Sequence, residues 1–328
     1  MNTADGAPAG VPALSDGRAG NARQALALAA ALAPAPRELV LAPRTPWRWL
    51  APRRLPGDRN AFGPDFAALM AAPPALAVGC GRQAALATRI LRGHGARVVQ
   101  VLDPRLPTRH WDLVVAPEHD GLHGDNVITL AGSLHPVDEA WLAQARAAFP
   151  ALAALPSPRI AVLVGGPSAH ADLGVAGFEA LMAAAEAMAA REGGSLLVAA
   201  SRRTPDAVRA ALRGRPRQVP TLAWADAGDG ANPYAGMLAW ADRIACTADS
   251  VNMLSEACAT AAPVFVHRPE ALRGRPRRFV DDLLARGRIR PLDADARPFE
   301  ATPLRETARV AAEVRRRLGL RTTGAAES

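Results

Sequence analysis

The stretch "WADRIACTADSVNMLSEACATAAPVFV" at residues 240–266 decides the fold class. It reads as the end of a helix, a short apolar strand, a polar turn, a second helix and a second apolar strand. This order is typical of a strand–helix–strand unit in a parallel sheet. Ligands of open parallel sheets bind at the turns that follow the carboxyl ends of strands. The turn that contains Thr247, Asp249 and Ser250 is therefore a candidate binding site.

The same alternation of apolar strands and helical segments runs through the rest of the chain. It begins at residues 11–15 and begins again at 159–166, after the proline-rich stretch at 149–159, which has the composition of a linker. We therefore predict an α/β protein with two Rossmann-like domains whose parallel sheets face a cleft. The predicted organisation is a disordered tail over 1–10, an N-terminal domain over 11–153, a C-terminal domain over 154–300 and, over 301–328, a C-terminal helix that packs back on the N-terminal domain.

The basic residues of the chain are all arginines. There are 39 of them against 31 acidic residues, which gives a formal net charge of +8. The absence of lysine excludes a Walker A lysine, a Schiff-base lysine and a Tyr-x-x-x-Lys redox pair. The positive charge favours anionic partners such as phosphates and acidic lipids. Because the arginine clusters are scattered and have few interleaved aromatic residues, we predict no nucleic-acid partner.

The three cysteines, Cys80, Cys246 and Cys258, show neither metal-ligand spacing nor an even number for disulfides. Each lies in an apolar segment, so we expect buried free thiols in a reducing compartment. No apolar run approaches the roughly 20 residues of a spanning helix, and the first residues lack a signal-peptide pattern. These features predict a cytoplasmic protein.

The turn "SDGRAGNARQ" at residues 15–24 joins the first predicted strand to its helix. Gly17 and Gly20 permit a tight backbone, and Asn21 is a predicted helix cap. Asp16, at the strand end, is a candidate general base. We predict that this turn binds an acceptor or a phosphate, and the alternative is an ordinary Asp-Gly turn.

The segment "VGCGRQA" at residues 78–84 matches the pattern G-x-G-x-x-A, and Asp103 follows one strand later, as in a dinucleotide-binding fold. The pattern does not follow the first strand of the chain, so a chance match is the alternative to NAD binding. Arg82, at the start of the helix, is in either case a candidate anion contact.

The segment "APEHDGLHGDNV" at residues 116–127 is densely polar after an apolar strand. At the strand end, His119 is a candidate catalytic base, and Glu118 and Asp120 are candidate substrate ligands. The spacing of His119 and His123 would suit zinc on a helix. The glycines in this segment disfavour a helix, so we predict no metal, and a hydrogen-bonded loop is the alternative to a site.

In the second half, polar turns follow several predicted strands. A Gly-Gly turn lets the backbone approach a diphosphate closely, and serine hydroxyls and arginines are suited to its oxygens. A surface arginine pair is the alternative reading of residues 202–203. Candidate substrate ligands here are Gly165, Gly166, Ser168, Ser201, Arg202, Arg203, Asn232, Thr247, Asp249 and Ser250, with Glu256 as a carboxylate for ribose hydroxyls.

Several of these segments together resemble a known family. They are "LSDGRAGNARQ", "VGCGRQAA", "LDPR", "DLVVAPEHD", "GSLH", "SRRTP", "NPY" and "TADSVNMLSEA". In combination they are similar to the mitochondrial-fission Elm family, and we expect a bacterial member. More distantly, the chain resembles GT-B glycosyltransferases such as MurG, most strongly over residues 240–267.

The resemblance implies a metal-independent glycosyltransferase that uses a nucleoside-diphosphate sugar and a lipid-linked or cell-envelope acceptor. It implies that Glu256 holds the ribose, that the Gly165-Gly166 turn binds the donor phosphates and that the loop around Asp16 faces the acceptor. Helix N-termini and arginines would stabilise the leaving diphosphate, so no cofactor is expected. Asp16 or His119 would take the acceptor proton.

Other interpretations stay open. The segment "PRTPWRWLAPRR" at 43–54 mixes Trp with Arg, which suits peripheral contact with an anionic inner membrane, and the alternative is a partly ordered loop. The chain is alternatively a non-catalytic nucleotide-binding or membrane-peripheral interaction protein. A third possibility is an NAD-dependent nucleotide-sugar epimerase, against which the missing Tyr/Lys pair argues.

Overall fold

The computed structural model describes residues 10–167, 173–293 and 296–320. The chain divides into two compact units: the first comprises the described residues up to Pro136 together with those from Glu306 onward, and the second is Val137–Arg305. Each unit contains a six-stranded sheet whose strands pair in parallel. The predicted α/β class, with two Rossmann-like domains, is confirmed.

The sheet of the first unit has the strand order β2-β1-β3-β4-β5-β6. Its strands are β1 (Pro12–Ser15), β2 (Arg37–Val40), β3 (Leu76–Cys80), β4 (Arg97–Val101), β5 (Leu113–Pro117) and β6 (Val127–Leu130). Its helices are α1 (Ala19–Leu32), α2 (Trp47–Leu50), α3 (Pro64–Ala71), α4 (Arg82–Gly93) and α11 (Thr307–Leu318). Every residue of β1, β3 and β5 is buried, because helices cover both faces of the sheet.

Two apolar clusters build the core of this unit. Val99 lies in a cluster with Leu28 of α1 and Val310 of α11. Its neighbour Val98 lies in the other cluster, with Leu86 of α4. Successive side chains of a strand point to opposite faces, so α1 and α11 cover one face of the sheet and α4 covers the other.

The sheet of the second unit has the order β12-β11-β10-β7-β8-β9. Its strands are β7 (Arg159–Val164), β8 (Ser195–Ala200), β9 (Thr221–Trp224), β10 (Arg243–Thr247), β11 (Val264–His267) and β12 (Ile289–Pro291). Its helices are α5 (Glu139–Ala148), α6 (Gly174–Ala190), α7 (Asp206–Gly214), α8 (Tyr234–Trp240), α9 (Val251–Cys258) and α10 (Gly274–Ala285). One apolar cluster contains residues of α5, α8, α9 and α10, and the other contains residues of α6 and α7.

The division between the units differs from the predicted boundary at residues 153/154. Leu142 and Ala145 of α5 pack in the same cluster as Met237 of α8, so the second unit begins at Val137. The sequence reading also missed the edge strands β9 and β12. Both are partly exposed and therefore lack the continuous apolar run of the central strands.

The predictions about cysteines agree with the structure. Cys80, Cys246 and Cys258 are free and buried, and burial raises the pKa of each thiol above its usual range. Within the described ranges, no helix has the length and apolar character needed to cross a bilayer.

Candidate functional site

The polar turns of the second unit gather at one edge of its sheet. The pairing register places Val164 beside Ala200, Leu163 beside Cys246 and Thr247 beside His267. The four parallel strands β11, β10, β7 and β8 are consecutive in the sheet. The turns that follow them therefore lie side by side, as the sequence predicted for a ligand site.

The Gly165-Gly166 turn is packed too tightly for any side chain. A Cβ atom on Gly165 would overlap the carboxylate of Asp249, and one on Gly166 would overlap the backbone of Arg203. The Gly165 N–H donates to Thr247 Oγ1 at 2.9 Å, and the Gly166 N–H donates to Asp249 Oδ2 at 3.0 Å. The turn after β7 is thus locked to the turns after β8 and β10.

Arginine completes this junction. The Arg203 guanidinium donates to Asp249 Oδ2 at 3.2 Å and to the Pro167 carbonyl at 3.4 Å. The side chain of Arg203 is 51% exposed, whereas that of Asp249 is only 6% exposed. Arg202 is exposed. Arg203 therefore places positive charge at the Gly-Gly turn, where the carboxylate of Asp249 lies buried.

Thr204 holds the turn after β8 rather than capping a helix. Its hydroxyl donates to the Gly165 carbonyl at 2.6 Å and accepts from the Ser201 N–H at 2.9 Å. The helix α7 has Pro205 at its N-cap, without a side-chain cap. Thr204 therefore does not cap this helix, because its hydroxyl is engaged at the Gly-Gly turn.

Glu256 is a buried carboxylate of α9, with 3% of its surface exposed. Its Oε2 atom accepts a hydrogen bond of 2.6 Å from the Tyr234 hydroxyl. The Tyr234 N–H in turn donates to Asn232 Oδ1 at 2.9 Å. A buried carboxylate is stabilised by such bonds. The structure thus joins Glu256 to the predicted Asn232 turn through Tyr234, the only tyrosine of the chain.

Ser250 has a local structural role at the start of α9. Its hydroxyl accepts from the Met253 N–H at 3.4 Å, as an N-cap does. Ser168, another predicted ligand, lies outside the described residues.

A cavity of about 90 Å³ opens at the ends of β10 and β11. Polar residues line part of it, and apolar residues of α6 and of the segment before α10 line the rest. Its lining residues are Leu173, Gly177, Thr247, Ala248, Asp249, His267, Arg268, Ala271 and Leu272.

His267 is a polar residue of this cavity that the sequence reading missed. Its Nε2 atom is buried and has no hydrogen-bond partner in the part of the chain that the structure describes. Burial and the neighbouring charge of Arg268 lower its pKa, so the imidazole is neutral at pH 7. The signal was present in the sequence: the apolar strand "APVFVH" ends in His267, and the rule that selected Thr247 applies to this strand end as well.

In the first unit, the turn after β1 closes on itself. Asp16 Oδ1 accepts from Asn21 Nδ2 at 2.9 Å and from the Arg18 N–H at 3.2 Å. Gly17 has a φ of 75° and Gly20 lies in the first turn of α1. Arg18, not Asn21, is the N-cap residue of α1. The prediction that Asn21 caps this helix is therefore wrong, because its amide bonds to Asp16 instead.

The glycine pattern at residues 78–84 has a packing explanation. It lies between β3 and α4, as a dinucleotide fingerprint would, but a Cβ atom on Gly81 would meet Asn21 Nδ2 at 2.5 Å. The space that Gly81 opens is thus filled by the side chain of Asn21.

Arg82 is committed to backbone carbonyls. It donates to Trp49 at 2.9 Å, to Arg48 at 3.0 Å and to Ala51 at 3.2 Å. These carbonyls belong to α2 and the residue after it. Arg82 therefore holds this segment in place, in contrast to its predicted role as an anion contact.

Glu118, His119 and Asp120 form one turn of 3-10 helix directly after β5. Gly121 ends this turn in the left-handed conformation, with a φ of 68°, so His119 and His123 do not share a helix. Among the described residues, no group of three His, Cys, Asp or Glu side chains is placed to hold a metal ion. Two strands separate β1 from β5 in the sheet, which puts the Asp16 and His119 turns about 14 Å apart along the sheet edge.

Comparison with known proteins places this arrangement in a family. The family model described as "Mitochondrial fission ELM1" matches residues 19–318. The mitochondrial fission protein ELM1 of Arabidopsis thaliana is 29% identical over 283 residues, which are 76% of this chain. The chain spans 65% of the length of that relative.

Solved structures resemble the chain in fold at low sequence identity. The spinosyn forosaminyltransferase SpnP has a TM-score of 0.50 and 14% identity, with 95% of each chain covered. A UDP-N-acetylglucosamine 2-epimerase from Rickettsia bellii has a TM-score of 0.49 and 11% identity, covering 94% of this chain and 95% of that one. MurG of Acinetobacter baumannii has a TM-score of 0.47 and 14% identity, covering 94% and 91%. The likeness to the forosaminyltransferase shows a GT-B-like fold alone.

Proposed function

Because the chain belongs to the mitochondrial fission ELM1 family and folds into two Rossmann-like units, we propose that it is a GT-B-type glycosyltransferase that uses a nucleoside-diphosphate sugar. The observation that carries this proposal is the set of polar turns at one sheet edge of the second unit. There, the Gly165-Gly166 turn admits no side chain and Arg203 lies against it. Close backbone approach and an arginine are what a diphosphate requires.

Each part of the donor has proposed ligands in the second unit. The diphosphate lies against Gly165 and Gly166, Arg202 and Arg203 neutralise it, and the Ser201 hydroxyl forms a hydrogen bond to it. Ser168 is proposed from the sequence alone. Glu256, buried under the Tyr234 hydroxyl, accepts hydrogen bonds from the ribose hydroxyls. Thr247 and Ser250 shape the turn before α9, the helix that carries Glu256. Asn232 contacts the base or sugar.

The cavity beside β10 and β11 suits the sugar. It joins the polar side chains of Thr247 and His267 to apolar residues, which is the mixture that a sugar ring with hydroxyls requires. His267, which is neutral and lines the cavity, is the proposed hydrogen-bond partner of a sugar hydroxyl.

In the proposed reaction, an acceptor hydroxyl oxygen bonds to the anomeric carbon of the donor while the bond from that carbon to the diphosphate breaks. The diphosphate leaves with the bonding electrons, and the two arginines and the Gly166 N–H stabilise its charge without a metal. Asp16 or His119 of the first unit takes the acceptor proton. We propose Asp16 before His119, because its side chain is 14% exposed and held by Asn21, which fixes the carboxylate while leaving it accessible. Gly17 and Gly20 shape its loop, and Glu118 and Asp120 are proposed acceptor ligands.

A binding experiment tests the donor site. UDP, GDP, ADP, CMP and NAD are screened by thermal shift on the wild-type protein, and the best ligand is titrated into Glu256→Gln by calorimetry. Loss of a ribose hydrogen bond to a charged group costs about 1.5–3 kcal/mol. The affinity for a nucleoside diphosphate should therefore fall by at least about tenfold. Glu186→Gln is the matched control, because Glu186 is a buried carboxylate of the same unit, paired with Arg215 at 2.7 Å.

The same experiment, extended by a transfer assay with the donor sugar of the nucleotide that binds, separates the alternatives. Binding of a nucleoside diphosphate that Glu256→Gln leaves unchanged removes the ribose assignment. Binding of a donor sugar without transfer to any cell-envelope acceptor favours a non-catalytic nucleotide-binding protein. A response to NAD alone favours the epimerase alternative.

We propose further that α2 contacts an anionic membrane, which would bring a lipid-linked acceptor to a protein at the cytoplasmic face of a membrane. Trp49 is 68% exposed and Leu50 is 39% exposed. Arg82 and Arg89 hold this segment through its carbonyls, so the apolar side chains stay outward. Exposed arginines around them include Arg44, Arg48 and Arg53, and their charge complements acidic lipid headgroups.

Vesicle sedimentation tests this contact. Wild-type protein should sediment with phosphatidylglycerol vesicles and not with phosphatidylcholine vesicles. Trp49→Ser should release it, since Trp anchors at membrane interfaces. Val175→Ser is the control, because Val175 is a 41% exposed apolar residue of the other unit. Equal sedimentation of Trp49→Ser and wild type would remove α2 as the contact.

A further inference from the structure

The buried carboxylate of Asp249 lies where a phosphate group would approach the Gly165-Gly166 turn. Its Oδ2 atom accepts the Gly166 N–H at 3.0 Å and the Arg203 guanidinium at 3.2 Å. A Cβ atom on Gly165 would overlap both of its oxygens, so the carboxylate rests directly on the glycine backbone. A backbone N–H and a guanidinium on a glycine turn are the donors that bind a phosphate oxygen.

The remaining N–H of the turn has a different partner. The Gly165 N–H donates to the neutral hydroxyl of Thr247 at 2.9 Å. A phosphate would therefore compete with Asp249 for the Gly166 N–H and the Arg203 guanidinium. It can bind these donors only if the carboxylate releases them. Arg203, which is 51% exposed, can turn outward with an arriving anion and so leave Asp249.

We propose that Asp249 is an internal anion that competes with the donor diphosphate for Gly166 and Arg203 and so limits the affinity of the site. This inference rests on the proposed function and reverses the role of substrate ligand that the sequence predicts for Asp249. A phosphate that binds the same donors would lie close to the Asp249 carboxylate, and two anions in close contact repel each other strongly where solvent screening is weak. The carboxylate satisfies these donors when no phosphate is bound, and ligand release is favoured because the carboxylate returns to them.

The Asp249→Asn substitution removes the negative charge of this side chain and keeps its shape. Asn at position 249 has nearly the same volume, and its carbonyl oxygen can still accept the Gly166 N–H, but it carries no charge. Asp249→Asn should therefore keep the turn and bind phosphates more tightly. If Asp249 instead orients Arg203 for the phosphate, the same substitution should weaken binding.

Calorimetry with inorganic pyrophosphate, which needs no knowledge of the base, tests the proposal. The full chain and its Asp249→Asn variant are titrated with pyrophosphate, with the nucleoside diphosphate that binds the wild type best, and with the matching nucleoside. Asp249→Asn should bind both phosphate ligands about tenfold more tightly, or by about 1.4 kcal/mol. The affinity for the nucleoside should not change, because it carries no phosphate.

Asp112→Asn is the matched control. Asp112 also accepts a backbone N–H, from Val98 at 2.7 Å, and an arginine, Arg92 at 3.0 Å, but it lies in the first unit. It should leave all three affinities unchanged. Thermal unfolding reports whether each variant folds, and Asp249→Ser, which also lacks the charge, replaces Asp249→Asn if that variant does not.

The outcomes distinguish this inference from the proposed function. If the wild type binds a nucleoside diphosphate and loss of the Asp249 charge leaves affinity unchanged or weakens it, the competition is wrong and the donor site stands. If neither the wild type nor the uncharged variants bind any phosphate ligand, both are wrong.

Discussion

In each unit, the turn after the first strand contains glycine and is closed by a carboxylate, Asp16 in the first unit and Asp249 in the second. The partners of Asp16 are local: it accepts from Arg18 and Asn21, two and five residues away. Asp249 reaches across the sheet to Gly166, 83 residues away, and to Arg203, 46 residues away. The Asp16 carboxylate thus bonds within its own loop, whereas Asp249 lies at a junction of three turns that only the sheet topology brings together.

The two turns should therefore respond differently to substitution. A change of the Asp16 carboxylate should stay within its turn, because the bonds of that carboxylate span at most five residues. A change at the Gly165-Gly166 junction should spread to the turns after β8 and β10, which pack on the glycine backbone. A substitution of Asp16 is therefore expected to impair sugar transfer alone. A substitution at the Gly165-Gly166 junction is expected to impair both stability and ligand binding.

The largest effect is expected on transfer when the Asp16 turn loses its base. Asp16→Asn should reduce sugar transfer by about 10²–10⁴-fold, the usual contribution of a general base, and leave donor binding unchanged. Steady-state rates with saturating donor and calorimetry of the donor complex measure the two effects. Retained transfer would remove Asp16 as the base, and His119→Asn then becomes the variant to compare.

The second effect concerns the stability of the junction. Gly166→Ala places a Cβ atom against the backbone of Arg203, which has no flexible end to move away. We expect a loss of about 3 kcal/mol in the free energy of unfolding, as for other overpacked sites, measured by urea denaturation. In Gly214→Ala the added atom meets nothing within 4 Å, so this control should stay near wild type. Equal stability of both variants would show that the turns are not interlocked.

The smallest effect is the pH dependence that His267 adds to the second unit. Burial and Arg268 lower its pKa from the ordinary value of 6.5. The unfolded chain then binds the proton more readily than the folded chain, so this contribution is fully present above about pH 6.5 and is lost as pH falls toward the folded pKa. His267→Asn should flatten the pH dependence of the urea midpoint in this window. An unchanged profile would mean that His267 titrates alike in both states.

The same contrast explains what the sequence could predict. The central strands and the α1, α4, α6 and α9 helices follow from continuous apolar runs and helical periodicity. The Asp16 turn is local, so its residues were identified together, although the capping role of Asn21 was not correct. The edge strands β9 and β12 were missed because partial exposure breaks their apolar run.

The contacts of the second site depend on topology. No spacing rule pairs Tyr234 with Glu256 or Asp249 with Gly166, because these residues meet only after the strand order is set. The sequence identified Glu256, Asp249 and the glycines separately from the residue types that follow strands. It could not show that the Asp249 carboxylate accepts hydrogen bonds from Gly166 and Arg203, the same donors that were expected to bind the phosphate.

Hydrogen–deuterium exchange of the full chain with and without its nucleoside diphosphate tests the donor site most directly. Exchange should slow in peptides that cover residues 164–167, 201–204 and 247–256, since these turns surround the proposed diphosphate and ribose. Peptides that cover the glycine pattern at 78–84 should not change. Protection confined to 78–84, or no protection in the second unit under saturating ligand, would contradict a donor site at these turns.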